Sequence, residues 1–130
     1  MSDMHRLPLI AGAVIGGLSV AGGAFGAHGL KTVLEASGQT GNWETAARYA
    51  MVHALALVAV GLFATVRPAA AGLLVPAAWC FILGTAIFSG CLAALALSGV
   101  RILGAVVPIG GVLLIAGWAL MALAAARAEG

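Results

Sequence analysis

The sequence predicts an all-α membrane protein, a four-transmembrane-helix bundle with a short interfacial helix in its first loop. Three observations carry that expectation. The chain of 130 residues is 63% apolar and only 8% charged, against about 25% charged for an ordinary soluble domain, and its mean hydropathy is +1.15. The charged side chains gather at the chain ends and in the gaps between apolar runs: Asp3 and Arg6, then Lys31 to Arg48, then Arg67, Arg101, Arg127 and Glu129. Those gaps cut the chain to bilayer length, because a helix rising ~1.5 Å per residue needs about 20 apolar residues to cross a ~30 Å hydrocarbon core. Residues 7–27, 46–66, 73–97 and 102–126 satisfy this. The expectation is a single membrane domain over residues 1–130, both termini on one side, with no separate catalytic module.

The first span is longer than the apolar core of a secretory signal and lacks a closing A-x-A site, so it is expected to be retained. Gly12, Gly16, Ser19, Gly23 and Gly26 recur along it at steps of four and three, forming one stripe almost free of side-chain bulk. In a bilayer, helices associate through close packing of such surfaces. The stripe therefore predicts a tight helix pair, within the chain or between copies. Gly17, Ala21, Ala24 and His28 repeat the spacing on a second face, which points His28 into protein, and Gly29 is of the residue type that ends helices in the left-handed conformation. A histidine there can cap the helix by donating to unpaired carbonyls.

In the gap that follows, Leu30, Val33 and Leu34 are apolar at helical spacing while Lys31 and Glu35 are charged, as in a helix lying in the headgroup layer. Ser37, Gly38 and Gly41 supply turn chemistry. The second span opens with "NWETAARYAMVHALAL", in which Asn42 is a candidate N-cap, Glu44 favours the first turn, and Trp43 and Tyr49 suit the aromatic belt. Tyr49 and His53 share a face and can bond through their ring ends. His28, Glu44, Tyr49 and His53 are thus the candidate polar cluster, expected to converge near one interface as a ligand, ion or proton site or as a helix lock.

The third span carries Gly84, Ser89 and Gly90; Ser89 is expected to return its hydroxyl to the carbonyl one turn back. Cys80 and Cys91, eleven residues apart, stand ~16 Å apart along one helix and cannot form a disulfide. In the fourth span, Pro108 with Gly110 and Gly111 predicts a kink or locally open backbone.

No catalytic motif is legible: G-x-S-x-G, H-E-x-x-H and a phosphate-cradling loop are all missing from the sequence. No metal or other cofactor is expected, since a structural zinc site needs four ligands and haem attachment through C-x-x-C-H is not present. The formal charge of +2 is small and dispersed, so nucleic acid is not an expected partner. The Lys/Arg count ties, with Arg6, Arg67 and Arg127 on the side of the termini and Lys31, Arg48 and Arg101 opposite. Glu44, able to pair with Arg48 four residues on, tips the termini towards the cytoplasm.

Taken in order, "FGAHGL" at 25–30, "W-x-T-A-x-x-Y-x-x-x-H-A-L-A-L" at 43–57, "FSGCL" at 88–92, and "PIGG" at 108–111 with Gly117 and Trp118 resemble the YgdD-like family of small bacterial inner-membrane proteins, which also includes the eukaryotic transmembrane protein 256. The resemblance covers about residues 9–123. It implies a four-span inner-membrane protein and brings no substrate. Cys91, Ala93 or Ala94, and Val107 stand where the family pattern has serine, tyrosine and threonine. The expected function is a non-enzymatic accessory or structural subunit or homo-oligomer, with the bilayer and possible membrane complexes as partners. Permeation of a small solute or ion through the His/Tyr cluster is the alternative, followed by a haem or quinone site in an electron-transfer assembly.

Overall fold

A computed structural model describes residues 3–128; Glu129, one of the charges read at the C-terminal end, lies outside them. The described residues form α1 (Asp3–Ala27), α2 (Lys31–Ser37), α3 (Thr40–Val66), α4 (Ala71–Ser98) and α5 (Ile102–Ala126), with a 3-10 turn at Pro68–Ala70 between α3 and α4. Four of them, α1, α3, α4 and α5, are long and apolar enough to cross a membrane. The helices end within one residue of the ends of the apolar intervals. Two starts lie well outside the intervals: α1 begins at Asp3, and α3 begins at Thr40 after Gln39, so Asn42 lies inside the helix and donates from Nδ2 to Gln39 Oε1 at 2.9 Å instead of capping it. Polar residues extend these helices past the apolar run because a helix stub keeps every backbone group paired at the membrane edge.

The helices pack in chain order as an antiparallel row: α1 lies along α3, α3 along α4 and α4 along α5, while α1 touches α4 only lightly. Glycines set the first of these approaches. A Cβ on Gly12 would stand 2.7 Å from Ala54 O and 2.9 Å from Val58 Cγ2, and one on Gly61 would stand 2.7 Å from Leu9 Cγ. The predicted stripe is therefore spent within the chain: Gly12 and Ser19 are buried, Gly16 meets Ala54, and Gly26 meets the ring of Trp43. Gly23 is the member that meets nothing. Trp43 closes this pair by donating its indole Nε1–H to Gly22 O at 2.8 Å, which satisfies the one polar atom of an otherwise apolar side chain. The second face of α1, through Gly17, Ala21, Ala24 and His28, is exposed. It was expected to point into protein; the two small-residue faces diverge around the helix, and α1 has only α3 as an extensive neighbour.

At the other end of the row, Gly84 and Gly110 bring α4 and α5 together. A Cβ on Gly84 would stand 3.1 Å from Gly110 O, and one on Gly110 would stand 2.8 Å from Gly84 O. Of the kink or locally open backbone expected at Pro108, Gly110 and Gly111, the open backbone does not form: α5 is helical through all three, and the backbone φ is positive only at Gly38 and Gly99 among the described residues. Pro108 falls in the second turn, where few carbonyls precede it, and Gly110 serves as a contact point. Gly38 and Gly99 end α2 and α4 in the left-handed region, the role expected of Gly29, which instead lies in the turn between α1 and α2. The apolar core gathers where α3, α4 and α5 meet, around Leu57, Val60, Leu74, Phe81 and Leu114.

Candidate functional site

Helical spacing on α3 sets Tyr49 and His53 one turn apart, and α5 supplies their partner from across the row. His53 is the midpoint of α3, Thr40–Val66, and it is buried at 4% exposure. Trp118 donates its indole Nε1–H to His53 Nε2 at 3.0 Å. A nitrogen that accepts from an indole carries no proton, so the ring is the neutral tautomer with hydrogen on Nδ1. That hydrogen is donated to Tyr49 O at 2.7 Å. Both ring nitrogens are thereby used. Tyr49 stacks its ring on His53 with centroids 6.1 Å apart, Phe88 lies 4.6 Å from Tyr49, and Phe81 packs 5.6 Å from His53 and 5.2 Å from Trp118. Tyr49 thus contributes its carbonyl and its ring face; the expected bond through the two ring ends is replaced by this stacking.

The four-residue convergence expected from the sequence is reduced to two. Tyr49 and His53 come together, whereas His28 and Glu44 are exposed. His28 follows the last residue of α1, and His53 lies thirteen residues beyond the start of α3 at Thr40, about 20 Å of helical rise. The start of α3 explains the difference: counted from residue 46, His53 lies seven residues in, but the helix begins six residues earlier and makes His53 its middle residue. Trp118, Phe81 and Phe88 were not read as members of the cluster. A signal was available for Trp118, because an indole N–H in an apolar span needs an acceptor, and His53 is the histidine deepest inside a span.

Beside the cluster lies a groove of about 620 Å³ between α3 and α5, walled by Arg48, Tyr49, His53, Phe88, Leu114 and Trp118. A second groove, of about 450 Å³, lies between α1 and α4 over α3. Thr85 and Ser89 line it, buried at 5% and 8% exposure. Neither hydroxyl has a hydrogen-bond partner. The return bond expected of Ser89 is thus not made. Among the described residues no group of three His, Cys, Asp or Glu side chains is placed to hold a metal ion.

These features define a helical, multi-pass membrane protein whose one deeply set histidine among the described residues is committed to its own helices. The chain belongs to the family described as "Protein of unknown function (DUF423)", which it matches over residues 22–111. It is 42% identical over 116 residues to a UPF0382 membrane protein of Staphylococcus haemolyticus, covering 89% of this chain and 92% of the relative. It is 41% identical over 122 residues to one of Staphylococcus epidermidis, covering 94% and 97%, and 37% identical over 119 residues to the UPF0382 membrane protein YwdK of Bacillus subtilis, covering 92% and 95%. The resemblance read from the motifs and these relatives agree on a family of small membrane proteins of unknown function. No solved structure matches the chain.

Proposed function

We propose that this protein is a non-enzymatic inner-membrane component, an accessory or structural subunit or a homo-oligomer, with both termini in the cytoplasm. The observation that supports this reading is the closed His53 cluster, in which each ring nitrogen is bonded to a neighbouring helix atom or side chain. A histidine kept for a metal, a haem or a moving proton needs a nitrogen left for it, whereas a histidine bonded on both sides joins α3 to α5. The short helix α2 lies in the headgroup layer in this reading: Leu34 is buried against the bundle while Lys31 and Glu35 are exposed, which suits an element with one face on protein and one in water.

The groove beside Tyr49 and His53, with the cationic Arg48 in its wall, favours permeation of a small solute or ion as a second reading. Two measurements on His53→Ala separate the readings. A structural role predicts a lower unfolding midpoint in detergent with proteoliposome flux the same as wild type; flux that the wild type supports and the variant loses, at unchanged stability, overturns it. Isolation from native membranes in a mild detergent then tests the partner. A subunit runs within a larger complex and an oligomer as a multiple of its own mass, while a lone monomer overturns both.

A further inference from the structure

We infer that the cavity at the rim where α3 and α5 end and α4 begins holds the phosphate of an anionic phospholipid between Arg67 and Arg127. This goes beyond the structural role proposed for the His53 cluster, lies away from it at one end of the bundle, and holds whichever leaflet the termini face.

Two cations far apart in sequence meet at this place. α3 ends at Val66, α4 begins at Ala71 after the turn at Pro68–Ala70, and α5 ends at Ala126, so Arg67 and Arg127 each follow the last residue of a span on the same side. Both wall one cavity of about 300 Å³, together with Ala70, Gly72, Leu73 and Ala124. An arginine just past a helix end ordinarily donates to the last carbonyls or pairs with a nearby carboxylate. Among the described residues, no side-chain hydrogen bond engages either guanidinium, and no acid lines the cavity. Asp3, the described acid on this side, walls a different cavity with Val75 and Trp79. Two like charges at one space, with no counter-charge in its wall, repel each other until an anion joins them.

Level, size and charge identify the anion. Helices long and apolar enough to cross a membrane end at its polar edge, where phospholipid phosphates lie. The cavity is at that level. About 300 Å³ is at the low end for sites that take a small molecule, and it is too little for a helix some 10 Å across. Leu73 and Ala124 continue the wall from the arginines into the spans, which suits an occupant that is charged at one end and apolar below. A guanidinium presents its N–H donors in a fork that matches phosphate oxygens, and basic pockets between transmembrane helices hold anionic headgroups in this way. A free phosphate ion matches the two charges but leaves the apolar part of the wall uncovered.

The test uses the full chain in a neutral detergent, with native mass spectrometry counting bound lipid as phosphatidylglycerol or phosphatidylcholine is added. The expected result is a first phosphatidylglycerol bound about tenfold more tightly than phosphatidylcholine, a preference lost in Arg67→Gln/Arg127→Gln. Arg6→Gln, at an exposed arginine on the same side that does not line the cavity, is expected to keep it. Gly72→Leu, at a position where a Cβ meets nothing within 4 Å, fills the cavity without changing the charge and is expected to lose it. Arg67, Gly72 and Arg127 are all exposed, so these variants are expected to leave the unfolding midpoint unchanged. The inference is overturned if the two lipids bind alike, or if Gly72→Leu binds phosphatidylglycerol as the wild type does. It also fails if Arg6→Gln costs as much as Arg67→Gln or Arg127→Gln alone, which means a diffuse attraction spread over the rim. Inorganic phosphate that displaces the lipid at equal concentration names the free ion as the occupant and overturns the assignment. So does binding that tightens about tenfold in Glu129→Gln, which means that the arginines serve that carboxylate.

Discussion

Two buried polar features, each at the middle of its own helix, are solved differently. At the seam where α3, α4 and α5 meet, His53, the midpoint of its helix, is bonded through both nitrogens and enclosed by Tyr49, Phe81 and Trp118. In the groove between α1 and α4, Thr85, the midpoint of its own helix, and Ser89 have no partner. The seam is closed because a glycine pair draws α4 and α5 into backbone contact and delivers Trp118 to the histidine. The groove is open because the glycines of α1 are spent on α3, so that α1 touches α4 only lightly. Polarity buried in a bilayer is thus stabilising where glycine lets a third helix approach, and unsatisfied where it does not.

Breaking the seam at its glycines carries the largest expected effect. A Cβ on Gly110 would press on backbone atoms of α4, with Gly84 O at 2.8 Å and Phe88 Cα at 2.9 Å, and backbone cannot turn aside. Gly110→Val is expected to push α5 away and to lower stability by about 3 kcal/mol or more, at the upper end of overpacking costs. Gly117→Ala meets the ring of Phe81 at 2.7 Å, and a ring can shift. Its expected loss is about 1–2 kcal/mol. Equilibrium unfolding in mixed micelles measures both, and a Gly110→Val protein as stable as wild type removes the account of how the seam closes.

The seam itself is tested by a double-mutant cycle on His53→Ala and Trp118→Phe. Each single change leaves a buried group without its partner, at a cost of about 1–3 kcal/mol. The coupling between them is expected at ~1–2 kcal/mol, in the range of model interhelical bonds in membranes. Additive losses mean that the bond at 3.0 Å contributes nothing and that packing alone holds α5.

How far the sequence reveals all this depends on the length scale of each cause. The four spans were legible because they answer to composition and bilayer thickness, and the packing of the α1 stripe because small residues repeat at helical spacing. Which helix meets the stripe was not, since two small faces on α1 looked alike and only one fits α3. The site was half legible. Tyr49 and His53 are neighbours on one helix, but pairing His53 with Trp118 needs the relative depth of two helices sixty-five residues apart. That depth turns on where α3 begins, and polar residues such as Thr40 and Asn42 gave the apolar count no purchase on it. The two hydroxyls of α4 were visible as residues. Their lack of a partner is a property of the tertiary arrangement alone.

The smallest effect expected sharpens the comparison most, because it sets two glycines of one helix against each other. Gly84 faces the seam, where a Cβ would stand 2.8 Å from Leu114 Cδ2 and 3.1 Å from Gly110 O, while Gly90 faces the groove, where a Cβ meets nothing within 4 Å. In water, Gly→Ala in a helix gains roughly 0.5–1 kcal/mol through lost backbone freedom. In a bilayer the separated helices remain helical because their backbone groups have no other partners, so most of that gain is forfeited. Gly90→Ala is therefore expected to change stability by only about 0–0.5 kcal/mol, with the sign favourable, against a loss of about 1–2 kcal/mol for Gly84→Ala. Unfolding of the pair under one set of conditions decides it. Equal destabilisation at both positions means that the groove is packed by something as closely as the seam is, and the contrast between a closed and an open face of α4 no longer holds.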